Sequence, residues 1–209
     1  MFQKINRSLW KREEYFSHYM TNTPCTYSIT TKLNITNLKN QNLSLYPTML
    51  YLLSKTVNAH DEFRMAIDKN GDVGIYDTLF PCYTIFHKNS ETFSDIWTEY
   101  HDNYTTFCQN YQNDISKYGT IEKMLAKPNI PQNTFPVSMI PWVTFEGFHL
   151  HLKKGYDYLL PIFTMGKLEF TNEQYLLPLS IQVHHAVCDG FHVSRFVNEL
   201  QATIHHFKP

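Results

Sequence analysis

Leu177-Pro-Leu-Ser-Ile-Gln-Val-His-His-Ala-Val-Cys-Asp-Gly-Phe-His192 is the stretch on which the reading of this chain turns. Leu177, Leu179, Ile181 and Val183 alternate with Pro178, Ser180, Gln182 and His184, which predicts a strand with one apolar face. The strand stops at His184-His185, and a turn carrying Asp189-Gly190 leads into residues 191–207. There Val193, Phe196, Val197, Leu200 and Ile204 recur as the stripe of a helix that buries one face. A strand end is a favoured place for chemistry, because the rigid element holds a side chain that the loop exposes. A histidine there can act as a general base, its unperturbed pKa being about 6.5.

Working back from this segment, residues 11–19 predict a short helix and 25–33 a strand rich in Thr, Tyr and Ile. Residues 46–59 are helical in pattern, with Met49, Leu50, Leu53 and Val57 on one face and Pro47 in the first turn. Asn70-Gly71 between 63–67 and 73–76 predicts a hairpin with a type I′ turn. Strands are expected at 81–87 and 93–100, then a polar helix over 102–118 capped by Asp102. Pro128, Pro131 and Pro136 make 127–136 an irregular loop, followed by strands at 137–139, 144–152, 158–168 and 175–184. Gly190 is expected to serve an unusual backbone conformation or a close approach. Many strands with few, unevenly interleaved helices give an α/β fold: a two-layer sandwich with a mixed β-sheet covered by helices. No repeat or Gly/Ser linker divides the chain, so residues 1–209 are expected to form a single domain.

Composition narrows the function. The 209 residues carry net charge −1, with 43% hydrophobic and 18% charged residues, which excludes a disordered chain and lacks the basic footprint of a nucleic-acid binder. No apolar run approaches the roughly 20 residues of a membrane span. Lys4, Arg7, Lys11, Arg12, Glu13 and Glu14 fall where a secretory leader would be apolar, so a soluble cytoplasmic protein is expected. Cys25, Cys82, Cys108 and Cys188 form no CxxC pair and are expected to be free thiols. Neither GxGxxG nor a P-loop occurs among seven glycines. Fourteen Tyr, 15 Phe and 3 Trp form a heavy aromatic loading, suited to a core, a flat-ligand pocket or a subunit interface.

Three readings fit His184, His185, Cys188, Asp189 and His192: a cap joining strand to helix, a metal site, or acid–base catalysis by one histidine with Asp189 fixing the loop. A structural zinc site wants four ligands in recognisable pairs, and no second His/Cys pair follows. His149 and His151 alternate, which reads as surface histidines of a strand.

The string His184-His-Ala-Val-Cys-Asp-Gly-Phe-His192 resembles the HHxxxDG signature of chloramphenicol acetyltransferases. Its HxxxDG core is shared with dihydrolipoyl acyltransferase domains. Trp10-Lys-Arg-Glu-Glu-Tyr-Phe16, Tyr46-Pro-Thr-Met-Leu-Tyr51, Asp61-Glu-Phe-Arg-Met-Ala-Ile67, Ser138-Met-Ile-Pro-Trp142 and Pro161-Ile-Phe-Thr-Met165 resemble blocks of the narrower family in matching order. The likeness covers nearly the whole chain.

The resemblance implies the CoA-dependent acyltransferase fold and acetyl transfer from acetyl-CoA, as co-substrate, to the primary hydroxyl of chloramphenicol in a ternary complex. No metal or prosthetic group, nucleic acid or membrane is expected to take part. His185 matches the catalytic base, Ser138 the donor to the oxyanion, and Thr164 a threonine acting through a bound water. Asp189 and Arg12 match a charge pair that orients the loop. Tyr19, Cys25, Tyr27, Phe93, Phe148, Leu150 and Ile162 match acceptor-pocket positions. Tyr27 stands where phenylalanine is common, so its hydroxyl needs a polar partner or alters acceptor fit. Lys167 is a candidate for a CoA phosphate. Family members are homotrimers with sites between subunits. Two other readings stand beside this one: an acyltransferase for another acceptor such as dihydrolipoamide, and a non-catalytic ligand-binding trimer.

Overall fold

The alternation beginning at Leu177 lies within an 11-residue strand inside a mixed sheet. The computed structural model describes residues 1–152 and 157–209. In chain order its elements are β1 (Phe2–Lys4), α1 (Glu13–Ser17), β2 (Thr26–Asn34), α2 (Thr36–Asn40), α3 (Leu45–Asn58), β3 (Met65–Ile67), β4 (Val73–Tyr76), β5 (Phe80–His87) and β6 (Thr92–Trp97). There follow α4 (Tyr104–Tyr118), β7 (Thr134–Met139), β8 (Ile162–Met165), β9 (Glu169–Thr171), β10 (Gln174–His184) and α5 (Gly190–His206).

The main sheet runs β2-β10-β8-β7-β5-β6, with β9 beside β10. β10 is antiparallel to β2 and β8, whereas β7 is parallel to both β8 and β5. Alternation therefore sorts side chains between two faces. Leu179 opposite Met165 and Ile181 opposite Phe163 share the buried face with Val137, Phe135, Tyr83 and Ile96. α5 and α3 pack against each other, with α5 on β2 and α3 on β5. They add Val193, Phe196, Leu200, Ile204, Leu50, Leu53 and Val57 to the core. Each such side chain, once buried, stabilises the fold by about 1.5–3 kcal/mol relative to exposure. The two-layer α/β reading is what the chain forms.

The opposite face carries a row of smaller polar groups: Ser180 lies opposite Thr164, and Thr164 beside Ser138. Residues 144–152, expected as a strand, form none; they run across this face as irregular chain. Their backbone is satisfied by side chains instead of a ladder. Ser180 Oγ donates to the Phe148 carbonyl at 2.8 Å, and the Leu150 amide donates to Gln182 Oε1 at 2.9 Å. His149 and His151 accordingly do not share a strand face. Of the expected strand 158–168, only Ile162–Met165 is one.

Three local expectations change in detail. The 68–72 turn is not type I′, which needs positive φ at two residues. Here Gly71 has φ 84° while Asn70 does not, and Asp68 Oδ1 accepts from the Asn70 and Asp72 amides at 2.8 and 2.9 Å. The cap of α4 is Asn103, whose Oδ1 accepts from the Thr106 amide at 2.9 Å; Asp102 serves tyrosines instead. Gly190 opens α5 in ordinary backbone, and a Cβ there would meet nothing within 4 Å. A glycine is needed at Gly74, where a Cβ would stand 2.5 Å from the Gln3 carbonyl oxygen. That close approach lets β1, which has no alternating pattern long enough to announce it, pair with β4. Among the described residues no helix is long and apolar enough to cross a membrane.

Candidate active site

Arg12 lies just ahead of α1 and reaches across to the turn that follows β10. Its Nη1 and Nη2 donate to Asp189 Oδ2 and Oδ1, both at 2.7 Å. Nε donates to the Ala186 carbonyl at 2.9 Å and Nη2 to the His185 carbonyl at 3.1 Å. A planar fork with four such bonds fixes the turn as a rigid piece. The guanidinium holds the Asp189 carboxyl below the usual carboxylate range, and Asp189 in return raises Arg12. On the far side, the Asp189 amide donates to His192 Nδ1 at 2.9 Å, joining the turn to the first turn of α5. Burial keeps the His192 imidazole below its ordinary pKa.

The two adjacent histidines have different surroundings. His184 is 1% exposed, and its Nδ1 accepts from the Ala186 amide at 3.0 Å. His185 keeps 29% of its side chain exposed. Its amide donates to the Cys25 carbonyl at 3.0 Å, its ring stacks on Tyr19 at 3.9 Å, and the Tyr27 ring meets it edge-on at 5.4 Å. Nδ1 lies 3.3 Å from Asp189 Oδ1. The Tyr27 hydroxyl does find a polar partner, donating to the Cys188 carbonyl at 3.2 Å. Burial pushes both the Tyr27 phenol and the Cys188 thiol up. Cys188 Sγ turns to the Glu62 carbonyl, 3.7 Å away, so the His185–Cys188–His192 metal reading loses its thiolate. The fold thus brings Arg12, Tyr19, Cys25, Tyr27, His185 and Asp189 together.

Ser138 and Thr164 lie elsewhere, in a cavity of about 680 Å³ on the sheet face that carries the polar row. Phe93, Phe148 and Leu150 line it with them, and Trp142 packs against Phe86 there, ring centroids 4.7 Å apart. Ile162 is buried opposite Gln182 on β10 and lines a separate small pocket with Thr26, Leu160 and Val183 instead of the cavity. Lys167 is exposed, its amide donating to the Val143 carbonyl. Thr164 pairs with Ser180, and His185 follows five residues later along β10 and its turn, about 17 Å at strand spacing. One copy of the chain therefore holds the imidazole and the two hydroxyls apart.

The sequence reading passed over Thr84 and Asp95, which also line the cavity. Alternation along β6 could have found Asp95, because Phe93 and Asp95 share a face.

A profile of the chloramphenicol acetyltransferase family matches residues 1–201. The chain belongs to the chloramphenicol acetyltransferase family. A chloramphenicol acetyltransferase of Campylobacter coli is 62% identical over 200 residues, spanning 96% of this chain and 97% of that one. One of Vibrio anguillarum is 58% identical over 203 residues, 97% of this chain and 94% of the relative. A solved chloramphenicol acetyltransferase superposes with TM-score 0.85 at 24% identity, covering 98% of this chain and all of the other, so the fold is shared as well. Membership in this acetyltransferase family makes the protein an acyltransferase.

Proposed function

We propose that this protein transfers the acetyl group of acetyl-CoA to the primary hydroxyl of chloramphenicol, with His185 as general base, inactivating the antibiotic and conferring resistance. The observation that carries the reading is the partly exposed imidazole, stacked on Tyr19 and set against Asp189 on a turn that Arg12 clamps. With Nδ1–H toward Asp189, Nε2 takes the hydroxyl proton as the acceptor oxygen attacks the thioester carbonyl. The C–O bond forms, the C–S bond breaks, and the imidazolium returns the proton to the departing CoA thiolate. The thioester is already activated, so direct transfer in a ternary complex needs no acyl-enzyme. Ser138 Oγ donates to the oxyanion, and Thr164, 2% exposed and next to it across the sheet, acts through a bound water.

A homotrimer with sites between subunits accounts for the roughly 17 Å between His185 and the hydroxyls. The His185 turn of one subunit, with Tyr19, Cys25 and Tyr27, closes on the Ser138 cavity of the next, with Phe93, Phe148 and Leu150; Lys167 meets a CoA phosphate. The whole chain works as one catalytic domain in the cytoplasm, where its four free cysteines stay reduced.

The test is thiol release from acetyl-CoA with chloramphenicol, with dihydrolipoamide and with neither. Release dependent on chloramphenicol and lost in His185→Ala supports the reading. Release only with the dithiol, or saturable binding of chloramphenicol without release, would replace it.

A further inference from the structure

Register continues the polar row beyond Ser138. Tyr83 pairs with Val137, so the next step sets Thr84 beside Ser138, and Thr84 is opposite Asp95. Ser138, Thr84 and Asp95 all line the cavity. At one sheet spacing per strand, Asp95 lies about 10 Å from Ser138 along the cavity wall. Most of that wall is apolar: Phe93, Val137, Ile140, Phe148 and Leu150 stand around it. An acidic side chain among such neighbours is the exception to explain.

Among the described residues, the Asp95 carboxyl has neither a side-chain hydrogen bond nor an ion pair. Its backbone is fully used: the amide donates to the Met124 carbonyl at 2.7 Å, and the carbonyl accepts from Ala126 at 3.1 Å. The main chain is therefore fixed, and the carboxyl faces the cavity. Burial pushes this carboxyl above the usual carboxylate range. Among the described residues that line the cavity no cation offsets that; the titratable neighbours are Cys82, held up to about 12, and Tyr46, whose hydroxyl donates to the Thr84 carbonyl. Glu91, the other acid on the cavity, is exposed at its edge.

We propose that Asp95 makes the end of the cavity away from Ser138 a subsite for an ammonium group carried on an apolar aryl body, so that the protein selects cationic aryl ligands over neutral ones of the same shape. An ammonium supplies the charge-assisted hydrogen bond that the carboxylate lacks, while the aryl body covers the apolar wall. This deepens the reading of the cavity as the acceptor pocket and rests on that reading only for its role in turnover.

Binding of 4-phenylbenzylamine and of its neutral isostere 4-phenylbenzyl alcohol to the purified full-length protein tests it, by calorimetry and without catalysis. The amine should bind about 10- to 100-fold more tightly than the alcohol, the range for a hydrogen bond to a charged group. Asp95→Asn should erase that preference, Asp95→Ser should do the same, and Glu91→Gln should retain it. Chloramphenicol should displace the amine. Equal affinities in the unaltered protein, or a preference that survives both Asp95 variants while they keep the parent melting temperature, would overturn the proposal; amine binding that chloramphenicol leaves untouched, with the preference intact, would count against the cavity as the acceptor pocket. Absence of chloramphenicol turnover with the preference intact would instead count against the proposed function alone.

Discussion

The Arg12 guanidinium and the Asp189 carboxylate, 177 positions apart, meet through two parallel 2.7 Å hydrogen bonds, and Nη2 and Nε also donate to the carbonyls of His185 and Ala186. In the proposed reaction the pair serves by placing the backbone on which the imidazole stands. Asp189→Asn and Arg12→Val should each lower kcat about 10²-fold, the effect of a misplacement of about 1 Å. Asp189 is 37% exposed, so solvent screening limits the stability cost to about 1 kcal/mol, a fall of roughly 2–4 °C in Tm. Steady-state kinetics and thermal melts check this; undiminished turnover in both variants would free the turn of its clamp.

His185→Ala should cut turnover by at least about 10²–10⁴ while Tm stays near the parent value, because the ring is partly exposed. His184→Ala should do the reverse in stability, since it removes a buried acceptor of the Ala186 amide, at a cost of about 1–3 kcal/mol. Comparing Tm and kcat for the two variants separates their roles.

Ser138→Ala should lower kcat about 10²–10³-fold with little change in KM, as removal of an oxyanion donor does. Thr164→Ala should cost less. A comparable rise in KM with kcat unchanged in Ser138→Ala would make it a ground-state contact.

Tyr27→Phe should leave the KM for chloramphenicol within about twofold and change stability by about 1 kcal/mol. The hydroxyl donates to the Cys188 carbonyl, so it is occupied before any acceptor arrives. A large fall in acceptor affinity would show that the phenol turns toward the ligand.

His192 gives stability a pH dependence whose sign follows from burial. Its imidazole accepts from the Asp189 amide and is held below the ordinary value of 6.5 in the fold. The unfolded chain binds that proton more readily, so the contribution is full above about 6.5 and is lost as pH falls below it. Tm measured from pH 7.5 to 5 should decline, and His192→Asn, an uncharged acceptor, should flatten the decline over this window. The Asp189 carboxyl, depressed by Arg12, adds its own loss only on acidification below its unfolded value of 3.8.

Much of the fold was legible because its signals are local. Leu177 to Val183 alternate, and Val193 to Ile204 keep one helical face, whatever surrounds them. Residues 144–152 misled because apolar residues that alternate over a cavity look the same as those of a strand, while Ser180 and Gln182 side chains replaced the ladder bonds. Asp102 and Asn103 are both good caps, and only the geometry at Thr106 chose between them.

By itself the sequence determined the strand–turn–helix that carries His185 and Asp189, the mixed α/β class, and the family through its motifs. Those properties reside in neighbours along the chain. Tertiary structure alone decided that His184 is sealed while His185 is open, that Arg12 grips the turn through four hydrogen bonds, and that Ser138, Thr84 and Asp95 fall in one row. Such choices depend on packing and cross-strand register, which unite residues far apart in sequence and leave no local pattern to read.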